Sequence, residues 1–435
     1  MSTKAQAASR LSFIDVLRGV GVVLMIQLHT SHGWVRPELR SGGLWSATQF
    51  WGGLAAPIFL MLAGVSLGLR MARAHARGQL PDYGQELRRA LQLIVLGYLL
   101  RLQMWFIDAG GFARPDAYLA QACLLAAYGV AYFALAQSRL HSTALAAFGV
   151  AAGLFGLGLF QVSRHAPDRM TGLLRVDVLQ CIGASLVIVI GVAAAHRRGF
   201  RVRRYYAIAA VIAAFIAAWT RTWVPGPLPP AIAGYLGQWP AEPGKSVVGL
   251  FPLFPWCAYA FAGTAYGLAW ARTPSERLTR NLLWLAVGAL CVALATREST
   301  NLMHQLLERA AWLTQPVRVA QRVAWVLVLG GVCAAARAWI PIVVAPIETI
   351  GRASLLLYWV HLEFAFGAAS SSFTRSLSYT PWAIGTLALV LAMWLVAQIR
   401  VGLRTRAFVP LSDEPSRAIS EEPGRPRERT RSAPG

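Results

Sequence analysis

The chain repeatedly runs for about eighteen or more residues with hardly a charge, then breaks at a cluster of arginines or at a connection rich in Pro, Gly and Trp. Wound as a helix, a segment of that length and composition crosses the roughly 30 Å hydrocarbon core of a bilayer. In lipid, a helix satisfies its own backbone hydrogen bonds, which a loop or an open sheet edge cannot do. The pattern therefore predicts an all-α fold, a polytopic integral membrane helix bundle of about 10–12 transmembrane helices. Twelve stretches qualify, at 12–30, 46–70, 88–106, 117–137, 142–161, 176–195, 205–223, 250–271, 281–296, 318–339, 349–367 and 380–400.

Composition narrows the class further. Hydrophobic residues make up 56% of the chain and charged residues 14%, against about 25% charged in soluble domains. A disordered chain, a coiled coil and an ordinary soluble enzyme are excluded. The 41 Lys+Arg against 19 Asp+Glu give a net charge of +22. A nucleic-acid binder would gather that charge on one solvated face, without long apolar interruptions, so no nucleic acid is expected as a partner. Positive-inside topology and contact with anionic lipid account for the surplus. The five cysteines each sit in an apolar run without C-x-x-C spacing. Neither a disulfide framework nor a metal site is indicated.

The cations also orient the chain. Taking the N-terminus as cytoplasmic, the connections that would lie inside carry Arg70, Arg73, Arg77, Arg88 and Arg89, then Arg139, then Arg197 to Arg204, then Arg272, Arg277 and Arg280, then Arg337. The alternate connections, at 34–45, 108–116, 165–175, 224–248, 297–315 and 368–379, are poorer in cations. Short loops rich in Arg stay inside, so both termini should be cytoplasmic in a cell (inner) membrane. The first stretch should be retained rather than cleaved, because Asp15 and Arg18 interrupt it and no small-residue cleavage site follows. A membrane domain at 1–402 should be followed by a disordered tail at 403–435, where Pro, Ser, Arg and Glu dominate.

Ionisable groups inside a membrane helix are costly, and each is a functional candidate. At about 100° per residue, Asp15, Arg18 and His29 fall on one narrow stripe of the first helix, with His29 about 21 Å beyond Asp15 along the axis. The stripe should face the bundle, with Asp15 and Arg18 near the cytoplasmic mouth and His29 near the outer end. Histidine is the side chain suited to move a proton near neutral pH, and His32 follows one turn later. In the eleventh stretch Ser354, Tyr358 and His361 share a face, whereas Arg352 and Glu363 share another. Asp177 and Gln180 lie one turn apart at the start of the sixth. The run Phe251-Pro252-Leu253-Phe254-Pro255-Trp256 should bend the entry to the eighth and free backbone groups to line a cavity.

Several of these segments together resemble a known family. RLSFIDVLRG at 10–19, MIQLH at 25–29, APIFLMLAGVSLGL at 56–69, DVLQCIGASL at 177–186, FPLFPW at 251–256 and GRASLLLYWVHL at 351–362 look like the catalytic domain of the heparan-alpha-glucosaminide N-acetyltransferase family and its bacterial relatives, within a wider superfamily of transmembrane acyltransferases. The resemblance implies an acyl-CoA donor, usually acetyl-CoA, and an amino or hydroxyl group of a sugar beyond the membrane as acceptor. It further implies catalysis by a polar residue at the outer end of the first helix and a histidine beyond it. His29 stands at the first of these positions, where the animal enzyme has asparagine, and His32 is the nearest to the second. Many bacterial relatives have an acid beside this histidine, where this chain has Gln27 and Thr30.

Acyl transfer needs a base for the acceptor, an approach for the donor and hydrogen-bond donors for the oxyanion. His29, His32 and His361 are the catalytic candidates, and Asp15, Arg18, Asp177, Gln180 and Tyr358 are candidates for the substrate and donor path. Arginines on inner loops suit CoA phosphates. Direct attack and an acyl-histidine intermediate both stay open. The partners expected are membrane lipids, acyl-CoA and a glycan or glycolipid acceptor, with a homodimer left open. Two other classes compete. A transporter or flippase of a small amphipathic or glycolipid substrate fits twelve helices and the echo between DVLRGV at 15–20 and DVLQCI at 177–182. A structural protein would use its polar residues only to hold helices together.

Overall fold

The computed structural model describes residues 3–108, 118–136, 142–165, 170–195, 203–220, 228–237, 249–273, 275–295 and 301–407. The described residues are helical nearly throughout. Thirteen helices carry the architecture: α1 (Thr3–Trp34), α2 (Ala55–Ala76), α3 (Tyr83–Asp108), α4 (Tyr118–Ala136), α5 (Ser142–His165), α6 (Val178–Ala195), α7 (Arg203–Thr220), α8 (Leu253–Trp270), α9 (Ser275–Ala295), α10 (Thr314–Trp339), α11 (Pro341–Arg352), α12 (Ser354–Phe366) and α13 (Tyr379–Ala407). Each of the twelve apolar stretches falls, in its greater part, on these helices. Among the described residues, seven spans are long and apolar enough to cross a membrane by length and composition, or eight if the bent pair α11–α12 counts as one. The remaining stretches fold as α3, α4, α7 and α8. This is a multi-pass membrane protein. The outward faces agree, with Trp284 70%, Ile384 66% and Ile399 65% exposed, an apolar display that suits hydrocarbon and not water.

Two stretches differ from continuous helices. The second divides at Gly53 and Leu54 into a Gly42–Gly52 helix and α2. The eleventh is not one helix over 349–367: the chain bends by 81° between α11 and α12. Consequently Arg352 and Glu363, which a straight helix would place on one face, belong to different helices. The bend lies where α11 meets α1. A Cβ on Gly351 would run into the backbone carbonyl of Asp15, and one on Gly19 into that of Ile347, so the two backbones touch where glycine alone fits.

Glycines also register the central helices. Gly64 and Gly68 of α2 lie on the backbones of Ala260 and Thr264, while Gly263 and Gly267 of α8 lie on those of Met61 and Val65. Both series rise together, so α2 and α8 run parallel, as the second and eighth crossings of an alternating chain must. In α3 and α6, Gly97 meets Gln180 and Gly183 meets Ala90, an antiparallel pair. The same logic makes α1 antiparallel to α11 and parallel to α12, where Gly33 lies on the Ala365 backbone. The buried core is built mainly on α1, α2, α6 and α8, including Ile26, Ile58, Leu67, Cys181 and Tyr259. Helix α13 extends to Ala407; the remainder of the expected tail lies outside the described residues, as does the Arg139 connection.

Candidate active site

Along α1, Asp15, Gly19, Val22, Ile26, His29 and Gly33 recur at helical spacing, and this stripe faces α11 and then α12. At its far end His29 Nδ1 lies 2.7 Å from His361 Nε2. The ring planes are 3° apart with centroids 5.0 Å apart. That separation matches the N···N distance plus two ring radii, so the rings meet edge to edge in one plane rather than face to face. His361 is fully buried, and its Nδ1 lies 2.8 Å from the Leu357 carbonyl one turn back on α12.

These contacts fix the tautomers. A carbonyl only accepts, so His361 Nδ1 carries a hydrogen and donates it to Leu357. His361 Nε2 then has the lone pair and accepts from His29 Nδ1–H. Neutral His29 is left with its lone pair on Nε2, where a proton can be taken up. Phe366 packs against the His29 ring at 5.7 Å, and Tyr358 stands edge-on to His361 at 6.0 Å.

Tyr358 lies within electrostatic reach of Asp177 and Arg101. Arg101 of α3, with 5% of its side chain exposed, reaches Asp177 at 3.4 Å and donates to the Gly172 carbonyl at 2.9 Å. Asp177 accepts from the Val178 amide at the start of α6. The Gln180 amide oxygen accepts from the Asp177 N–H at 3.3 Å, while its Nε2 is buried without a partner. A backbone bridge from Val176 to Gly249 brings the Phe251–Trp256 run to this end of the bundle. Gln103, two residues beyond Arg101, donates to Glu363, two residues beyond His361. His29, His361, Tyr358, Asp177 and Gln180 thus gather at one end, from α1, α12 and α6.

The other candidates lie elsewhere. His32 is exposed; it donates to Gln49 Oε1 at 2.7 Å, and Trp45 stands 5.7 Å from its ring. It ties the Gly42–Gly52 helix to α1 and does not join the histidine pair. Asp15 and Arg18 pair at 2.6 Å at the opposite end, where Arg352 approaches Asp15 to 4.0 Å and joins Arg337 on Glu348. Arg70 and Arg89 share Glu86 at this level of the bundle. Arg101, Gln103 and Glu363 were not expected at the site. Arg101 had a signal, a cation inside the apolar 88–106 stretch; the Gln103–Glu363 contact had none. Among the described residues, no three His, Cys, Asp or Glu side chains are grouped to hold a metal.

Comparison with family models gives a match over residues 10–305 to "Heparan-alpha-glucosaminide N-acetyltransferase, catalytic". The chain belongs to this family. The match includes His29, Asp177 and the Phe251–Trp256 run, and ends before His361, so the partner of His29 comes from beyond the matched residues. No curated protein matches the chain. Family membership gives a membrane protein of the acetyltransferase type.

Proposed function

We propose that the protein transfers an acyl group, acetyl in the first instance, from acyl-CoA to an amino or hydroxyl group of a glycan or glycolipid on the outer side of the cell (inner) membrane, with both termini inside. The observation that carries this reading is the His29–His361 pair, whose hydrogen bonds leave His29 Nε2 as the base in a chain of an acetyltransferase family.

In direct transfer, the acceptor N or O attacks the thioester carbonyl carbon as His29 Nε2 takes its proton. The imidazolium donates Nδ1–H to His361, which stabilises the charge and holds the ring in place. The C–S bond then breaks, and the proton passes from His29 to the CoA sulfur. The products are the acylated acceptor and free CoA. His361 is a positioning residue here, with Tyr358 and the Arg101–Asp177 pair as the wall behind it. We place the CoA end of the donor at the opposite, cation-rich end. A cavity of about 310 Å³ there is lined by Arg70, Arg89, Gln92 and Leu355, with Glu86 paired to both arginines, and Leu355 lies about 9 Å below His361 along α12.

Membranes containing the protein, given acetyl-CoA labelled in the acetyl group, should move label into glycan or release it slowly as acetate. Membranes without the protein should do neither. No label transfer and no hydrolysis, together with uptake or flipping of a glycolipid, would instead favour the transporter.

A further inference from the structure

A second cleft is remote from the histidine pair. It measures about 770 Å³ and lies between α7, α8 and α10. Alanine dominates its walls, with Ala210 on α7 and Ala262 on α8, where a larger side chain would have closed the gap between helices. It opens beside Val211 and Phe215, which are 56% and 40% exposed on the lipid-facing side of α7. Arg203 and Arg204 form one end, and none of the lining residues is acidic. From Arg203 to Phe215 the helix rises about 18 Å, close to the depth of one leaflet, half of the roughly 30 Å core.

We infer that this cleft binds one anionic phospholipid, its acyl chain along the alanine wall and its phosphate at Arg203 and Arg204. Charge complementarity selects the occupant. Two exposed arginines at the first turn of an 18-residue helix face a cleft with no acid, and the N-terminal end of the helix adds favourable potential for an anion. The apolar walls suit a hydrocarbon chain and offer little to the amides of a CoA arm. Under the N-inside orientation Arg203 and Arg204, at the start of α7, lie on the cytoplasmic side, so the lipid comes from the cytoplasmic leaflet, the one that carries anionic headgroups. The site does not depend on the acyl-transfer reading.

Native mass spectrometry of the delipidated, full-length protein in detergent tests it, with phosphatidylglycerol and phosphatidylcholine as probes. The wild type should bind one phosphatidylglycerol at a concentration roughly tenfold lower than phosphatidylcholine, the scale of one to two arginine contacts. The double variant Arg203→Gln/Arg204→Gln should bind both lipids alike, at the weaker level, and Ala210→Phe, which fills the cleft, should lose both. Equal binding of the two lipids by the wild type, a preference that survives the arginine double variant, or undiminished binding to Ala210→Phe would each overturn the inference. Displacement of the bound lipid by CoA would assign the cleft to the donor instead.

Discussion

At the level of single residues, the roles proposed for the two histidines are unequal because their hydrogen bonds point one way, from His29 to His361 and from His361 to Leu357. Removing the base should cost more than removing its support. His29→Ala should lower acyl transfer by about 10²- to 10⁴-fold, the usual contribution of a positioned base. His361→Ala removes one hydrogen bond to a ring that becomes charged, worth about 1–3 kcal/mol of the barrier, or roughly 5- to 150-fold. It should also destabilise the fold, since His361 is fully buried. If His361 acts through His29, the double variant should be no slower than His29→Ala alone, and additive losses would show two independent roles. Each histidine was legible in the sequence as an ionisable group in an apolar helix. Their pairing was not, because 332 residues separate them and helical periodicity carries no information between helices.

At the level of elements, the long apolar runs were legible because burial in lipid imposes length and composition on each one separately. The bend after Arg352 was not. Arg352-Ala353-Ser354 contains no residue that must break a helix, and the significance of Gly351 depends on where Asp15 of α1 lies. Gly351→Ala should therefore force α1 and α11 apart and destabilise the protein by on the order of 1–3 kcal/mol. Gly153→Ala on α5 meets nothing within contact range and should be neutral or mildly stabilising through helix propensity. Thermal unfolding of both variants in detergent checks the contrast; equal shifts would show that the α1–α11 contact is not tight.

For the whole molecule, the relative directions of the helices match an alternating chain. α2 runs with α8, and α3 runs against α6, so His29 and Asp15 lie at opposite ends of one bundle. The absolute orientation is proposed from the distribution of arginine and is checked separately. Reporter fusions truncated after Arg77 and after Arg204 should both read cytoplasmic. An external signal at either would reverse the assignment and put the histidine pair on the donor side. Deleting residues 411–435 should leave insertion and activity intact, since that stretch has no apolar face to dock; a loss of inserted protein would mean that the tail packs on the bundle.

The central claim is that His29 is the base of an acyl transfer and that His361, not His32, holds it. The most direct test measures acetyl transfer from labelled acetyl-CoA by the purified wild type and by His29→Ala, His361→Ala and His32→Ala, each shown to be folded at equal concentration. Activity should fall by about 10²- to 10⁴-fold in the first variant, fall less in the second and be largely kept in the third, whose histidine bonds Gln49 of the Gly42–Gly52 helix. A fully active His29→Ala beside an inactive His32→Ala would contradict it.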